Sequence, residues 1–430
     1  MRKKLSNVDL SLMAIIAEGF LSRLSFGLIS FALPLYAYHL GLSLTEIGLL
    51  ASLNLVVALA LKPATGWAAD RFGLKRSFTL AIGLRSLVAL LLAFAGSPWQ
   101  LYATRSAHGM SKSLRDPSVN ALIAEHGGKK AIASAFAWYQ TAKTTAGSLG
   151  KALAGILLTL TASNFSLVFM VAFLLSALPL FVVARYVEEG SAGDDTPLEI
   201  GEAVPAVPHT QDTQIPTDKS GSRLSLLPFI GLGFLISSTA KMLHGLFPIL
   251  ATEYAGLNEA ETGLIYTAST LVILFAGPLF GWLSDNVNRE LVLLVRGGAN
   301  MLSSIVYIVV PGFLGIAMGK LVDDMGKAAF RPAWGALMAH VSSFDRQRRA
   351  QTMSLMSVGE DAGDIAGPVL AGFLWSTWGI TVVMGVRVLL AVVAEVYTVT
   401  LARSVDELEG DSSVSGRAAR AARRPARGRV

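Results

Sequence analysis

The sequence predicts an all-α membrane protein, with twelve transmembrane helices arranged as two parallel six-helix repeats. Of its 430 residues, 53% are hydrophobic and 15% are charged, whereas soluble domains are about 25% charged. The apolar residues come in runs of roughly 20 to 30, long enough to cross a hydrocarbon core of about 30 Å as helices. Residues 215 positions apart, such as Gly66 and Gly281, match along the two halves of the chain.

The membrane-spanning elements are expected to be helices because backbone polar groups in lipid are satisfied within such a segment. Met1 to Lys4 and the apolar residues after them resemble a signal peptide. The apolar stretch runs to about Tyr38, too long for a cleaved signal, and is therefore interpreted as the first helix. The predicted helices span residues 11–38, 43–69, 76–96, 98–124, 131–161, 164–186, 225–253, 259–284, 289–311, 313–340, 349–376 and 379–402.

Lys and Arg residues occur in every second loop between the predicted helices. If the N-terminus is cytoplasmic, these residues lie in cytoplasmic loops, as the positive-inside rule requires. They are Arg71, Lys75, Arg76, Lys129, Lys130, Arg289, Arg346, Arg348 and Arg349. The pattern predicts an inner-membrane protein with both termini in the cytoplasm. It also accounts for the net charge of +6 without nucleic-acid binding.

Two polar stretches divide the chain. Residues 187–224 are acidic and rich in proline, a composition typical of disordered linkers. We predict an N-terminal bundle over 1–186, this linker, a C-terminal bundle over 225–403 and a disordered basic tail over 404–430. The arginines of the tail either attach to anionic lipid or are simply solvated.

The clearest match between the two halves is one pentapeptide. Gly66-Trp-Ala-Ala-Asp70 recurs as Gly281-Trp-Leu-Ser-Asp285. The same offset relates Glu46 to Glu261, Gly48 to Gly263, Pro63 to Pro278, Met110 to Met325, Lys112 to Lys327 and Pro117 to Pro332. Parallel repeats in membrane proteins are typical of transporters whose halves rock about a site near the bilayer midplane.

A loop motif between the second and third helices resembles the signature loop of the major facilitator superfamily. Its residues are Gly66, Asp70, Arg71, Gly73, Lys75 and Arg76. Arg105-x-x-His108-Gly109 in the fourth helix resembles a second motif of the same superfamily. The resemblance implies the twelve-helix transporter fold and a charge relay, formed by Asp70 and the basic residues, that gates the two halves. The alternative is that these charges only anchor the loop.

One position departs from the superfamily's antiporter pattern, Gly-x-x-x-Gly-Pro. The eleventh helix contains this pattern as Gly363, Gly367 and Pro368, but the fifth helix has Lys151 after Gly147 and Gly150. The substitution of Lys for Pro weakens the interpretation as a drug antiporter.

Charged residues inside the predicted helices are the candidate substrate or coupling residues, because each costs roughly 2.5–3.5 kcal/mol at a helix centre. They are Arg23, Arg105, His108, Asp116, Lys241, His244, Asp323, Asp324, Glu360, Asp361 and Asp364. Crowded carboxylates could carry a coupling proton, carboxylate and imidazole could bind a divalent metal such as iron, and Arg and Lys could hold an anion. Alternatively, the charges neutralise one another as structural ion pairs. By analogy with the superfamily, the first, fourth, seventh and tenth helices line the cavity, and the eleventh could gate.

The function predicted is secondary active transport by alternating access, of iron or another divalent metal in the main interpretation, with two alternatives. The first hundred or so residues resemble magnetosome members of the superfamily, which implies iron transport for magnetite formation, residence in the magnetosome and inner membranes, and other magnetosome proteins as partners. The alternatives are a proton-coupled exporter of an organic cation or drug, and a non-transporting scaffold. The absence of a phosphate-binding loop, of a His-Glu-x-x-His motif and of a nucleophile elbow argues against an ATP-driven pump or an enzyme. No cofactor is expected, and the absence of Cys excludes disulfides.

Overall fold

A computed structural model describes residues 2–126, 132–187, 226–287, 289–343 and 349–422, and its regular structure in these ranges is helical. The helices are α1 (Arg2–His39), α2 (Leu44–Phe72), α3 (Leu74–Ala93), α4 (Pro98–His126), α5 (Ile132–Leu160), α6 (Phe165–Tyr186), α7 (Leu227–Lys241), the single turn α8 (Phe247–Ile249), a π-helix (Leu250–Tyr254), α9 (Glu259–Asn286), α10 (Arg289–Val309), α11 (Phe313–Ser343), α12 (Arg349–Trp378) and α13 (Ile380–Ala422). The all-α fold with two sets of six long segments confirms the predicted class.

Six of the described helices contain stretches long and apolar enough to cross a membrane. These lie in α1, α2, α3, α6, α9 and α13. The remaining long helices, α4, α5, α10, α11 and α12, are not among these six.

The seventh predicted helix, residues 225–253, is not continuous. It ends at Lys241, and Met242–Leu246 form a turn before α8 begins. Gly245 has a φ of +82°, a left-handed conformation that glycine adopts without steric cost. Pro248 follows and has no backbone N–H to continue a helical ladder. The chain therefore breaks where it carries His244.

The last helix extends beyond its predicted end. It continues to Ala422, whereas the sequence predicts a disordered tail from residue 404. The segment from Arg417 to Ala422 consists of Ala and Arg, both strong helix formers. Residues 423–430 and the predicted linker beyond Val187 lie outside the described ranges.

Equivalent helices of the two repeats pack in equivalent pairs. In the N-terminal half α1 packs against α5, α2 against α4 and α3 against α4. In the C-terminal half α7 packs against α12, α9 against α11 and α10 against α11. The sequence repeat is thus also a repeat of packing.

The two halves meet chiefly through two helix pairs, α2 with α12 and α5 with α9, and α1 also contacts α8. A Cβ at Gly48 would collide with the Pro368 carbonyl, and one at Gly263 would lie only 3.0 Å from the backbone of Ala152. Gly48 and Gly263 are repeat equivalents, so both crossings depend on a glycine that allows close backbone approach.

Neutral hydrogen bonds join the same ends of these helices. Ser52 donates to the Ile365 carbonyl at 2.7 Å, and the Ala260 amide donates to Thr159 at 3.0 Å. We call this the distal side, the side of the turns at 40–43, 161–164, 255–258 and 379; the opposite, terminal side carries Arg2 and Ala422. The halves are closed against each other distally.

Candidate functional site

A cavity of about 230 Å³ lies between the halves. Its N-terminal wall comes from α1, α2, α4 and α5, and its C-terminal wall from α7, the turn before α8, α9 and α11. Phe26, Leu50, Phe247 and Tyr266 supply apolar surface. The charged and titratable lining residues are Arg105, Lys151, Lys241, His244, Lys320, Asp323, Asp324 and Lys327.

Asp323 is the centre of an ion-pair network in the C-terminal half. Its carboxylate accepts hydrogen bonds from Arg387 at 2.5 Å, Lys327 at 2.5 Å and Arg296 at 3.3 Å. Arg387 also donates to the Thr239 carbonyl at 3.1 Å. Asp323, Arg296 and Arg387 are all buried. The network therefore ties α7, α10, α11 and α13 together.

Asp324, the next residue, is also fully partnered. It accepts from Lys320, from Ser269 on α9 and from Lys327 at 2.9 Å. Lys320 lies 5.3 Å from the centre of the Phe247 ring, a cation–π distance. Both carboxylates of the cavity are thus paired with basic side chains of their own half.

The N-terminal wall holds its cations differently. Arg105 donates to the carbonyls of Leu50 and Ala51 at 3.1 Å each and to the side-chain oxygen of Asn54 at 2.6 Å. Lys151 lies 4.0 Å from the centre of the Tyr266 ring, which belongs to the opposite half. The described contacts of both cations are with neutral groups.

A second buried ion pair lies in the N-terminal half, away from the cavity lining. Glu18 accepts from Arg115 through both carboxylate oxygens, at 2.9 and 2.7 Å, and Arg115 also donates to Tyr139 at 2.9 Å. These contacts link α1, α4 and α5. Their geometry is that of a structural bidentate pair.

Three predicted site residues of the N-terminal half lie near this pair or beside Phe26. Arg23 is 4.8 Å from the centre of the Phe26 ring, and His108 stacks on that ring at 5.0 Å. Asp116 contacts Arg115 at 3.8 Å, and its side chain is 48% exposed. The structure places none of these three in the described cavity lining.

Helix α12 carries a cluster of three acidic residues, Glu360, Asp361 and Asp364. Asp364 forms an ion pair with Lys241 at 2.6 Å, and its second carboxylate oxygen is buried without a hydrogen-bond partner among the described atoms. Asp361 is exposed, and Glu360 is half-buried. Of the cluster, Asp364 borders the cavity through Lys241.

The predicted gating motif spans the end of α2 and the start of α3 on the terminal side. Arg71 lies 5.5 Å from the centre of the Trp67 ring, and Lys75 donates to the Ala184 carbonyl at 3.4 Å. Gly73, with φ at +92°, precedes α3. The surroundings of Gly66 and Asp70 lie outside what the structure describes, and Arg76 is exposed. The charge relay stays a prediction.

Two buried arginines that donate to Asp323, Arg296 and Arg387, were not identified from the sequence. Arg296 and Arg387 each stand alone in an apolar helix, in the stretches Leu291–Leu302 and Thr381–Val393. A lone arginine in such a stretch predicts a buried partner because of its insertion cost. That signal could have assigned both to the carboxylates of α11.

The described residues include no group of three or more His, Asp or Glu side chains placed to hold a metal ion. His244 and the carboxylates Asp323 and Asp324 line the same cavity, but both carboxylates already bind Lys or Arg side chains.

Two bundles of six long helical segments around a charged cavity define a multi-pass membrane transporter. The chain belongs to the Major Facilitator Superfamily, whose sequence profile matches residues 18–210 and 229–428. It is 25% identical over 397 residues to the multidrug resistance protein MdtG of Erwinia billingiae, covering 90% of this chain and 92% of that protein. It is 23% identical over 380 residues to multidrug resistance protein 2 of Bacillus subtilis, covering 87% and 91%.

Solved structures share the fold. A bacterial homologue of the lysosomal transporter Spinster, inward-facing and unoccupied, matches with a TM-score of 0.72 at 14% identity, over 92% of this chain and 97% of that one. A D323A mutant of the nucleoside transporter NupG matches with a TM-score of 0.71 at 12% identity, over 90% and 99%. At these identities the likeness concerns the fold alone.

Proposed function

We propose that this protein is a secondary active transporter that exports small organic compounds by alternating access. The observation that carries the proposal is a charged cavity enclosed by both halves and closed on the distal side by the α2–α12 and α5–α9 crossings. Rocking about those crossings would expose the cavity to each side in turn. The multidrug resistance relatives support organic compounds as cargo.

A proton gradient is the proposed driving force, and the inner membrane, with both termini cytoplasmic, is the proposed location. Asp364 supports proton coupling because it borders the cavity through Lys241 and has a buried oxygen without a hydrogen-bond partner in the described ranges. Proton binding at Asp364 would break this ion pair and free Lys241 to move. In this orientation the distal side is periplasmic, and the structure is an inward-facing state.

Iron transport has less support. The resemblance of the N-terminal region to the magnetosome protein MamH remains a prediction, as do magnetosome residence and magnetosome partners. The relatives named above are multidrug resistance proteins. An Fe²⁺ ion in the cavity would compete with basic side chains for Asp323 and Asp324.

The test is transport into liposomes that hold the purified protein, under an imposed pH gradient. The panel contains a lipophilic organic cation, an aromatic carboxylate, Fe²⁺ and Mn²⁺, with protein-free liposomes as the blank. Gradient-dependent movement of either organic compound, reduced in Asp364→Asn, is the expected result. Movement of Fe²⁺ alone would replace the proposal by metal transport. No movement beside a working control transporter, with cellular function lost on deletion of residues 187–224, would favour the scaffold.

A further inference from the structure

The cavity contains more positive than negative charge. Five cationic side chains and two carboxylates line it. Lys241 is paired with Asp364, while Lys320 and Lys327 are paired with Asp323 and Asp324. Asp323 is shared further with Arg296 and Arg387 behind the wall. The two carboxylates of the cavity lining, Asp323 and Asp324, are therefore paired with cations of their own half.

The surplus charge is on the N-terminal wall. Neither Lys151 nor Arg105 has a carboxylate partner among the described residues. Arg105 uses Nε and Nη2 for its described hydrogen bonds, and a guanidinium carries two further N–H donors on Nη1. An ammonium away from water costs free energy unless an opposite charge compensates it.

The same cavity offers apolar surface beside these cations. The Lys151 ammonium lies over Tyr266, and Phe247 packs edge-on against the Tyr266 ring, with 5.2 Å between the ring centres. Phe26 lies on the opposite wall. At about 230 Å³, the cavity is below the usual range for drug-sized ligands, about 300–1,000 Å³.

We propose that this cavity binds a small organic anion, whose acidic group is held by Lys151 and Arg105 and whose apolar body packs against Tyr266, Phe247 and Phe26. The inference deepens the proposed function, since it names the charge class of the exported compound. It gives a role to Lys151, the residue that departs from the antiporter pattern of the fifth helix.

Binding of the anion at Lys151 would also affect the packing of α5 against α9, one of the helix pairs that join the two halves. Lys151 belongs to α5 and Tyr266 to α9. An anion bound at Lys151 attracts the ammonium away from the Tyr266 ring. Binding therefore changes a contact across the interface whose geometry differs between the two access states.

The chain provides a matched control for Lys151. Lys143 lies on the same helix, about two turns away, and its ammonium is 4.9 Å from the centre of the Tyr139 ring. It is not in the cavity lining that we describe. Replacing either Lys by Met removes one charge and one cation–π contact but keeps an unbranched side chain.

The experiment is equilibrium dialysis of the purified full chain against benzoate, phenylphosphonate, benzamide and benzylammonium. The two anions are expected to bind at least tenfold more tightly than benzamide. Lys151→Met should remove this preference, and Lys143→Met should keep it within about twofold. Equal binding of benzoate and benzamide, or equal effects of the two variants, would overturn the inference.

Liposome counterflow with the same four compounds separates this inference from the proposed function. Counterflow of benzylammonium in preference to benzoate would refute the anion site while leaving export of organic compounds intact. Anion binding that depends on Lys151, without counterflow of any compound, would support the site and refute the transport proposal.

Discussion

Helices α4 and α11 occupy equivalent places in the two repeats, yet they treat charge in opposite ways. At the offset of 215, Arg105 corresponds to Lys320 and Lys112 to Lys327, so each helix has a cation at both positions. Between them α11 has Asp323 and Asp324, where α4 has His108 and Gly109. At the cavity, Lys320 and Lys327 pair with Asp323 and Asp324 of their own helix, whereas Arg105 donates to carbonyl and amide oxygens.

This difference indicates separate roles for the two walls of the cavity. The C-terminal wall, with Asp323 bound to Arg296, Arg387 and Lys327, is a rigid structural element. The N-terminal wall has cations without carboxylates and is therefore the part able to respond to a charged ligand. An exact repeat would have placed carboxylates at positions 108 and 109, on the same helix as Arg105.

The largest expected effect comes from removing the centre of the C-terminal network. Asp323→Asn leaves Arg296, Arg387 and Lys327 without their shared carboxylate, and losing one member of a buried ion pair costs about 3–5 kcal/mol. Thermal unfolding in detergent measures the loss. Asp116→Asn is the control, because the Asp116 side chain is 48% exposed and lies 3.8 Å from Arg115, a contact worth at most about 1 kcal/mol. Equal losses would contradict the structural role of Asp323.

The N-terminal ion pair should show a smaller effect because fewer cations depend on it. Glu18→Gln removes the bidentate carboxylate partner of the buried Arg115 and should destabilise the chain by about 3 kcal/mol. The double variant Glu18→Gln/Arg115→Met should recover part of that loss, since it also removes the buried charge. A double-mutant cycle by thermal unfolding gives the coupling. Simple additivity would contradict a direct pair.

The glycines of the distal crossings should set the balance between the two access states. An added methyl at Gly48 or Gly263 meets backbone of the other half, and such overpacking costs about 1–3 kcal/mol. Gly48→Ala should thus increase exposure of the cavity to the distal side. Because the chain lacks Cys, labelling of Ser148→Cys by an impermeant maleimide reports this exposure.

Gly277→Ala is the control for that experiment, since a Cβ there meets no atom within 4 Å. Its labelling rate should match that of the parent. If Gly48→Ala labels no faster than Gly277→Ala, the crossing does not control access.

The smallest effect is expected from a single hydroxyl of the distal closure. Thr159→Val removes the hydroxyl that accepts from the Ala260 amide at 3.0 Å and donates to the Glu259 carboxylate at 3.5 Å, and it should favour distal opening by about 1 kcal/mol. Thr161→Val is its control, because that hydroxyl bonds within its own helix, to the Leu157 carbonyl. The same labelling assay compares them, and equal rates would rule out a role for Thr159.

Much of the fold follows from the sequence because lipid restricts the chain to helices. The run lengths predict α2, α4 and α6 to within a few residues. The break after Lys241 was missed, since apolar periodicity continues through it. Gly245 and Pro248, three residues apart, are the local signal that could have located it.

The site was less predictable because burial and pairing depend on how helices meet. Arg105, Lys241, His244, Asp323 and Asp324 were predicted and do line the cavity. Nothing in the local sequence distinguishes Asp364, paired with Lys241, from Asp361, one turn earlier and exposed. Likewise, the contact of Lys151 with Tyr266 joins residues 115 positions apart and depends on the packing of the two halves.

Closure through Gly48 and Gly263 has a kinetic consequence. Backbone packed on backbone attracts by dispersion, which decays within about an ångström of separation. The helix crossings at Gly48 and Gly263 are therefore stabilised only while their backbones are in contact. A small separation of the two helices removes most of the dispersion attraction. Such a contact gives a cooperative, all-or-none transition between two discrete arrangements, rather than a continuous widening of the passage. In the proposed alternating-access cycle, partly opened states would therefore be short-lived, and leakage of ions through the protein would be low.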